Sequence, residues 1–239
     1  MVPAAPIAEP YAYCVLDLET ANGRPEEAER WMRMSWSPNP SWKDETIGAR
    51  YREMLAKKQE RLALLDEAPI IVVCLKSETE LRALHAMGAH EPKHVSGALI
   101  EGFADQPGML RALRDLLDSR VGPNTTLAGH NIVKFDTPKL RFAYLAAGLR
   151  LPACLIGRDQ SVFDTMLNWS RFSLTERPFV ALDDCLEVLG LPNHKSTVTG
   201  KAVPELHAAG QYEAIINYCL LDVLAEESLF LRMIGAEGA

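Results

Sequence analysis

The sequence predicts an α/β fold built around a mixed central β-sheet. Three observations carry that expectation: strand-like segments come first, strand and helix then alternate, and helical segments close the chain. The 239 residues are 48% hydrophobic, enough apolar material for one sizeable core or one core with a large insertion. The longest clear apolar run, Ala68–Leu75, is far too short to cross a bilayer. Met1–Pro10 has three prolines, no basic start and no apolar stretch, so it reads as a flexible lead-in rather than a signal peptide. A soluble, cytoplasmic protein without membrane contact is expected, with residues 11–235 as one domain and an insertion at about 22–66.

Tyr11–Leu18 is short, aromatic and β-branched, and predicts the first strand. Asn22–Asp44 carries Gly23, Pro25, Pro38, Pro40 and the tryptophans Trp31, Trp36 and Trp42, which predicts an irregular segment. Asp44–Asp66 is highly charged and free of proline, with Leu55, Leu62 and Leu65 among Lys, Arg and Glu, predicting an exposed helix. Ala68–Lys76 and His94–Gly102 predict two further strands, with no element assigned between them. Met109, Leu110, Leu113, Leu116 and Leu117 form the stripe of an amphipathic helix over Gln106–Arg120. Thr125–Gly129 predicts a short buried strand. A helix follows from Asp136, with Thr137 as cap, Pro138 in the first turn and Gly148 as its stop. Helices are then expected at about Ser161–Phe172, Val180–Leu189 and Tyr212–Met233.

The net charge of −7 counts against a protein that coats long duplex nucleic acid, because neutralising phosphates needs clustered Lys and Arg. It is compatible with an enzyme that grips a strand end through cations held on carboxylates. The five cysteines, Cys14, Cys74, Cys154, Cys185 and Cys219, are far apart and lack any C-x-x-C spacing, which predicts reduced core thiols.

Three segments carry chemistry. In Asp17-Leu18-Glu19-Thr20 the alternation of a strand turns Asp17 and Glu19 to one face, about 7 Å apart or closer. Such a pair repels unless a cation or a proton lies between its members. In Gly129-His130-Asn131-Ile132-Val133-Lys134-Phe135-Asp136 the acid sits where a strand turns into a helix, as a ligand or as a helix cap, and His130 reads as a packed loop residue. In Tyr218-Cys219-Leu220-Leu221-Asp222 the phenol and the carboxylate lie four apart and share a helix face.

Taken together, Asp17-x-Glu19, Asn131-x-x-x-Phe135-Asp136 and Tyr218-x-x-x-Asp222 resemble the three motifs of the DEDD superfamily of 3′-to-5′ exonucleases. Asn217 stands where the histidine type of that superfamily has its histidine, so the tyrosine type is implied. Phe163-Asp164, the Leu182–Leu189 helix ending at Gly190, Lys195 to Gly200, Val203 and Tyr218 to Val223 are similar to the predicted 3′-5′ exonucleases related to the proofreading domain of family B DNA polymerases. The resemblance implies a ribonuclease H-like fold and catalysis by two divalent cations, Mg²⁺ or Mn²⁺. Asp17 would bridge the pair, Glu19 and Asp222 would hold the ion that activates water, Asp136 the other, and Tyr218 would orient the water. The chemistry suits the residues, since hard cations want oxygen ligands and two of them about 4 Å apart can serve both the attacking and the leaving oxygen.

Thr20, Asn131 and Phe135 are the expected substrate contacts, Phe135 offering a stacking face to the terminal nucleotide. Lys134, Lys139, Arg141, Lys195 and Lys201 are candidates for phosphate contact or ordinary surface charges, and Asp164 reads equally as a fifth carboxylate approaching the site or as the cap of its helix. The expected substrate is a nucleic acid with a free 3′ end, single-stranded DNA in the first instance, releasing nucleoside 5′-monophosphates. An RNA-processing exoribonuclease and a non-catalytic binding module on a nuclease fold are the alternatives.

Overall fold

The computed structural model describes residues 12–157, 160–172, 179–193 and 198–236. Lys195 and the lead-in Met1–Pro10 lie outside them. The chain begins with β1 (Tyr13–Thr20), α1 (Pro25–Ser35), α2 (Asp44–Gln59) and β2 (Ile70–Lys76). Then come β3 (Leu81–His85), β4 (His90–Val95), β5 (Ala98–Gly102), α3 (Gln106–Arg120) and β6 (Thr126–Gly129). It continues through α4 (Asp136–Ala146), α5 (Ala153–Ile156), β7 (Val162–Asp164) and α6 (Thr165–Phe172), and ends with α7 (Leu182–Leu189), α8 (Val203–Ala208) and α9 (Tyr212–Ile234).

The strands form one sheet in the order β4-β5-β3-β2-β1-β6-β7. It is mixed: β1 runs antiparallel to β2 and parallel to β6, while β3 and β5 are parallel neighbours. Helices cover both faces, as expected of a ribonuclease H-like α/β fold. The alternation of β1 shows why. Cys14, Leu16 and Leu18 pack with Met109, Leu110 and Leu113 of α3 and Leu140 and Tyr144 of α4. Val15 faces the other way, against Ile215, Cys219 and Val223 of α9. Asp17 and Glu19 share the parity of Val15, so the sheet turns them toward α9.

Several expectations need correction. The segment expected to be irregular contains α1, which starts at Pro25 with Glu26 and Glu27 in its first turn, a favourable helix start that the surrounding Gly, Pro and Trp residues obscured. Only Glu27, Ala28 and Met32 of α1 are buried, and Ala28 packs with Leu65 and Ala68. Residues 77–102 hold three strands rather than one, with Ser96 and Gly97 at positive φ in the tight turn between β4 and β5. The helix expected from Ser161 begins instead as β7, which adds to β6. Thr137 lies inside α4 rather than capping it, and its hydroxyl donates to the Ile132 carbonyl at 3.0 Å.

Lys139 is also unlike its expectation, being 4% exposed. Its ammonium donates to the carbonyls of Leu65 and Asp66 and so ties α4 to the end of the 22–66 segment. Burial pushes its pKa down to about 8. Replacing it by alanine strands two carbonyls, so Lys139→Ala is expected to cost about 1–3 kcal/mol. Thermal melting and hydrogen exchange should show a less stable protein in which residues 61–66 exchange faster; unchanged exchange there would contradict the tie.

Candidate active site

Beyond Val15, β1 runs past its pairing with β6, and Asp17 and Glu19 occupy that overhang in the middle of the sheet. Chain leaving β6 turns back sharply beside it. Gly129 permits the turn, because a Cβ there would meet the Leu16 carbonyl oxygen and the Ile132 Cβ, each at 2.9 Å. Asn131 holds the left-handed conformation at φ 70°, and its carbonyl accepts from the N–H groups of Lys134 and Phe135. Asp164 secures the turn from β7: its carboxylate accepts the N–H of Asn131 at 3.2 Å, of Val133 at 3.1 Å and of Leu167 at 3.0 Å. The last of these caps α6, as the sequence suggested. His130 completes the clamp, its ring reaching the Thr165 hydroxyl at 2.9 Å and the Val180 carbonyl at 2.8 Å. That is the packed loop role expected of it.

The turn delivers Asp136 to the first position of α4, 2% exposed. Its Oδ1 is buried with no hydrogen-bond partner, so it does not spend that oxygen on capping. Burial holds its pKa above the usual carboxylate range, with the N–H groups of Asp136 and Leu18 pulling the other way and the Asp164 charge adding to the rise. From the opposite side α9 presents Tyr218 and Asp222, 6% and 7% exposed, one helical turn apart. Carboxylate oxygens of Asp17, Glu19 and Asp222 lie within 4.8 Å of one another. They line a cleft of about 300 Å³ together with Phe135, Tyr218 and Glu226.

The electrostatics are those of a crowded acidic site. Asp17 is raised well above the ordinary Asp value by burial and then by the charges of Glu226, Glu19, Asp136 and Asp222. Tyr218 is pushed up by burial, by the charges of Asp222 and Glu19 and by its hydrogen bond to Asp222. It is therefore a neutral phenol whose proton goes to the Asp222 carboxylate. No Lys or Arg lines the cleft among the described residues. The donor set is all oxygen, and a buried, unpartnered Oδ1 on Asp136 is a costly arrangement that a hard divalent cation would relieve.

The other expected contacts are distributed unevenly. Phe135 is half-buried against the core and keeps one side on the cleft. Thr20 lines the cleft too, but its hydroxyl donates to the Ala63 carbonyl at 2.7 Å, which brings Ala63 and the exposed Leu64 to the rim. Asn131 shapes the turn through its main chain, and its side-chain Oδ1 is buried with no hydrogen-bond partner. Lys134 and Lys201 are exposed, Arg141 donates to the Leu155 carbonyl at 2.8 Å, and all five cysteines are buried free thiols.

A family described as predicted 3′-5′ exonucleases related to the exonuclease domain of PolB matches residues 113–239. The chain belongs to this family. Comparison with curated proteins gave no match. The matched span contains Asp136, Tyr218 and Asp222 but begins after Asp17 and Glu19, which the fold itself carries to the cleft of Tyr218 and Asp222. An exonuclease of this family is a nuclease acting on nucleic acid, and the acidic cluster accords with the divalent cations that such domains use.

Two contributions to the site carry no signal in the three motifs: the cleft residue Glu226 and the buried thiol of Cys219 behind it. Glu226 follows Asp222 by four positions, so the helix period alone aligns it with Tyr218 and Asp222. Cys219 is the buried core thiol expected of it, and its Sγ also lies 3.3 Å from Asp17 Oδ2, where burial keeps the thiol protonated as a donor.

An acid whose pKa is higher folded than unfolded contributes stability at low pH that is lost as the pH rises through its folded value. Asp17 is such a group, so in cation-free protein it is a liability near neutrality. In chelator at about pH 7.5, Asp17→Asn is expected to melt several degrees above wild type, with the gap closing toward the ordinary Asp value of about 4. Differential scanning calorimetry across pH checks this, and a gap that does not vary with pH would contradict it.

Proposed function

We propose that the protein is a 3′-5′ exonuclease of the tyrosine type that removes nucleotides from single-stranded DNA as 5′-monophosphates. The observation that carries the reading is the meeting of Asp17, Glu19 and Asp222 within 4.8 Å in a cleft that Tyr218 also lines. Asp17 would be shared between two divalent cations, Mg²⁺ or Mn²⁺, with Glu19 and Asp222 holding one and Asp136 the other. When bound, the cations would supply activation of water and stabilisation of the leaving 3′-oxygen.

The chain's own residues do the positioning. Tyr218, its phenol proton given to Asp222, orients the attacking water by accepting from it, and it is too weak an acid to act as a base near neutral pH. The α9 helix holds Tyr218 and Asp222 at a fixed separation, so water and cation ligand are set by one rigid element. Phe135 offers a face for the terminal base, and the Thr20, Ala63 and Leu64 side narrows the cleft. The absence of Lys and Arg from the lining of the cleft, among the described residues, and the net charge of −7 favour a strand end over duplex backbone.

A single-stranded oligonucleotide labelled at its 5′ end, incubated with Mn²⁺ or Mg²⁺, is expected to shorten stepwise and to stop on addition of EDTA. Asp222→Asn should abolish nearly all activity. Tyr218→Phe should lower turnover on the order of 10- to 1000-fold with little change in substrate affinity. Internal cleavage without a 3′ ladder, or activity that survives excess EDTA, would refute the reading; faster shortening of a matched RNA would replace DNA by RNA as the substrate.

A further inference from the structure

Helix α2 runs for 16 residues and buries none of them. It is nonetheless fastened in place. Trp36 meets Tyr51 edge-on with ring centroids 5.8 Å apart, the Lys58 ammonium lies 3.3 Å from the centroid of the Trp31 ring, and Leu55 packs against Ala28, Leu65 and Ala68. A helix held this way adds little to the core and leaves its surface open to a ligand. That surface is basic: residues 50–61 carry Arg50, Arg52, Lys57, Lys58 and Arg61 against Glu53 and Glu60, in a chain whose net charge is −7. Lys57, Lys58 and Arg61 line a groove of about 630 Å³ with Glu60 and the apolar Met54 and Leu64, which are 42% and 57% exposed. Leu64 also lines the acidic cleft, so groove and cleft meet at that side chain.

We propose that this groove holds the single strand that leads away from the 3′ end in the cleft, with Lys57 and Arg61 on its phosphates and Met54 and Leu64 against its bases. The inference rests on the nuclease reading above and makes the 22–66 segment the track of the substrate strand. Charge divides the two surfaces. The cleft is lined by carboxylates and, among the described residues, by no Lys or Arg, so it offers nothing to phosphates upstream of the terminal nucleotide. The groove beside it supplies the missing positive charge. Lys57 pairs with Glu53 at 2.8 Å, but both are exposed, and such a pair is worth little and gives way to a phosphate. Arg61 is exposed, and its guanidinium can fork two phosphate oxygens. Unpaired bases can lie against Met54 and Leu64, whereas a duplex keeps its bases stacked inside. DNA and RNA share the backbone, so the track takes either strand.

The test compares hydrolysis of a dinucleotide, which ends within the cleft, with that of a long single strand, both in Mn²⁺ and over a range of salt. Wild type is expected to show a lower KM for the long strand. In the full chain carrying Lys57→Gln and Arg61→Gln together, KM for the long strand should rise roughly tenfold, and the slope of log affinity against log salt should shrink by about 1.4. Turnover and the dinucleotide kinetics should stay unchanged, and Lys57→Arg with Arg61→Lys should behave as wild type. An unchanged KM for the long strand overturns the proposal, and so does an equal loss on both substrates, which would place the effect in the cleft or the fold. Wild type that hydrolyses neither substrate sinks the nuclease reading itself, whereas wild type that hydrolyses both with the same KM sinks the groove alone.

Discussion

Mutual repulsion among crowded carboxylates, some buried and some half-buried, is the constraint around which this structure is arranged. Asp17, Glu19, Asp222 and Glu226 line one cleft, and Asp136 adds its charge to theirs on Asp17. A fold that relaxed freely would spread these groups into solvent. Here the middle of the sheet and the long helix α9 hold them together, and the stability of the two hydrophobic layers offsets the cost.

The devices that enforce the convergence are ordinary ones. Extended backbone turns Asp17 and Glu19 to the α9 side while Leu16 and Leu18 anchor the strand in the opposite layer. A glycine with no room for a Cβ lets the chain after β6 return beside β1, and a buried aspartate with three N–H donors fixes that return. Asp164 is thus a carboxylate with its lone pairs satisfied, unlike Asp136 beside it. The difference separates an acid that builds the site from one whose buried Oδ1 is left open. Cys219 works at the same level, its thiol meeting Asp17 Oδ2 from the interior of α9.

Much of this was legible in the sequence because periodicity and residue type agreed. The stripe of α3 predicted its bounds, and the spacing of Asp17 with Glu19 and of Tyr218 with Asp222 predicted shared faces. What escaped lacked a local signature. Strand β3 is only five residues long and β4 is mostly polar, and both owe their conformation to pairing with β2 and β5. Helix α1 buries too little to show a stripe, and Lys139 is buried through carbonyls distant in sequence. Glu226 was visible in the helix period but fell outside the recognised spacing, which is where a reading by motif stops and a reading by helix face continues.

Cations occupying the cleft are the central requirement of the mechanism, and a crystal grown with Mn²⁺ and a 3′-terminal mononucleotide would test their presence most directly. Anomalous difference density should show two peaks sharing Asp17, one toward Glu19 and Asp222 and the other toward Asp136. Density confined to the protein surface, with the five carboxylates unshifted and protonated among themselves, would contradict it.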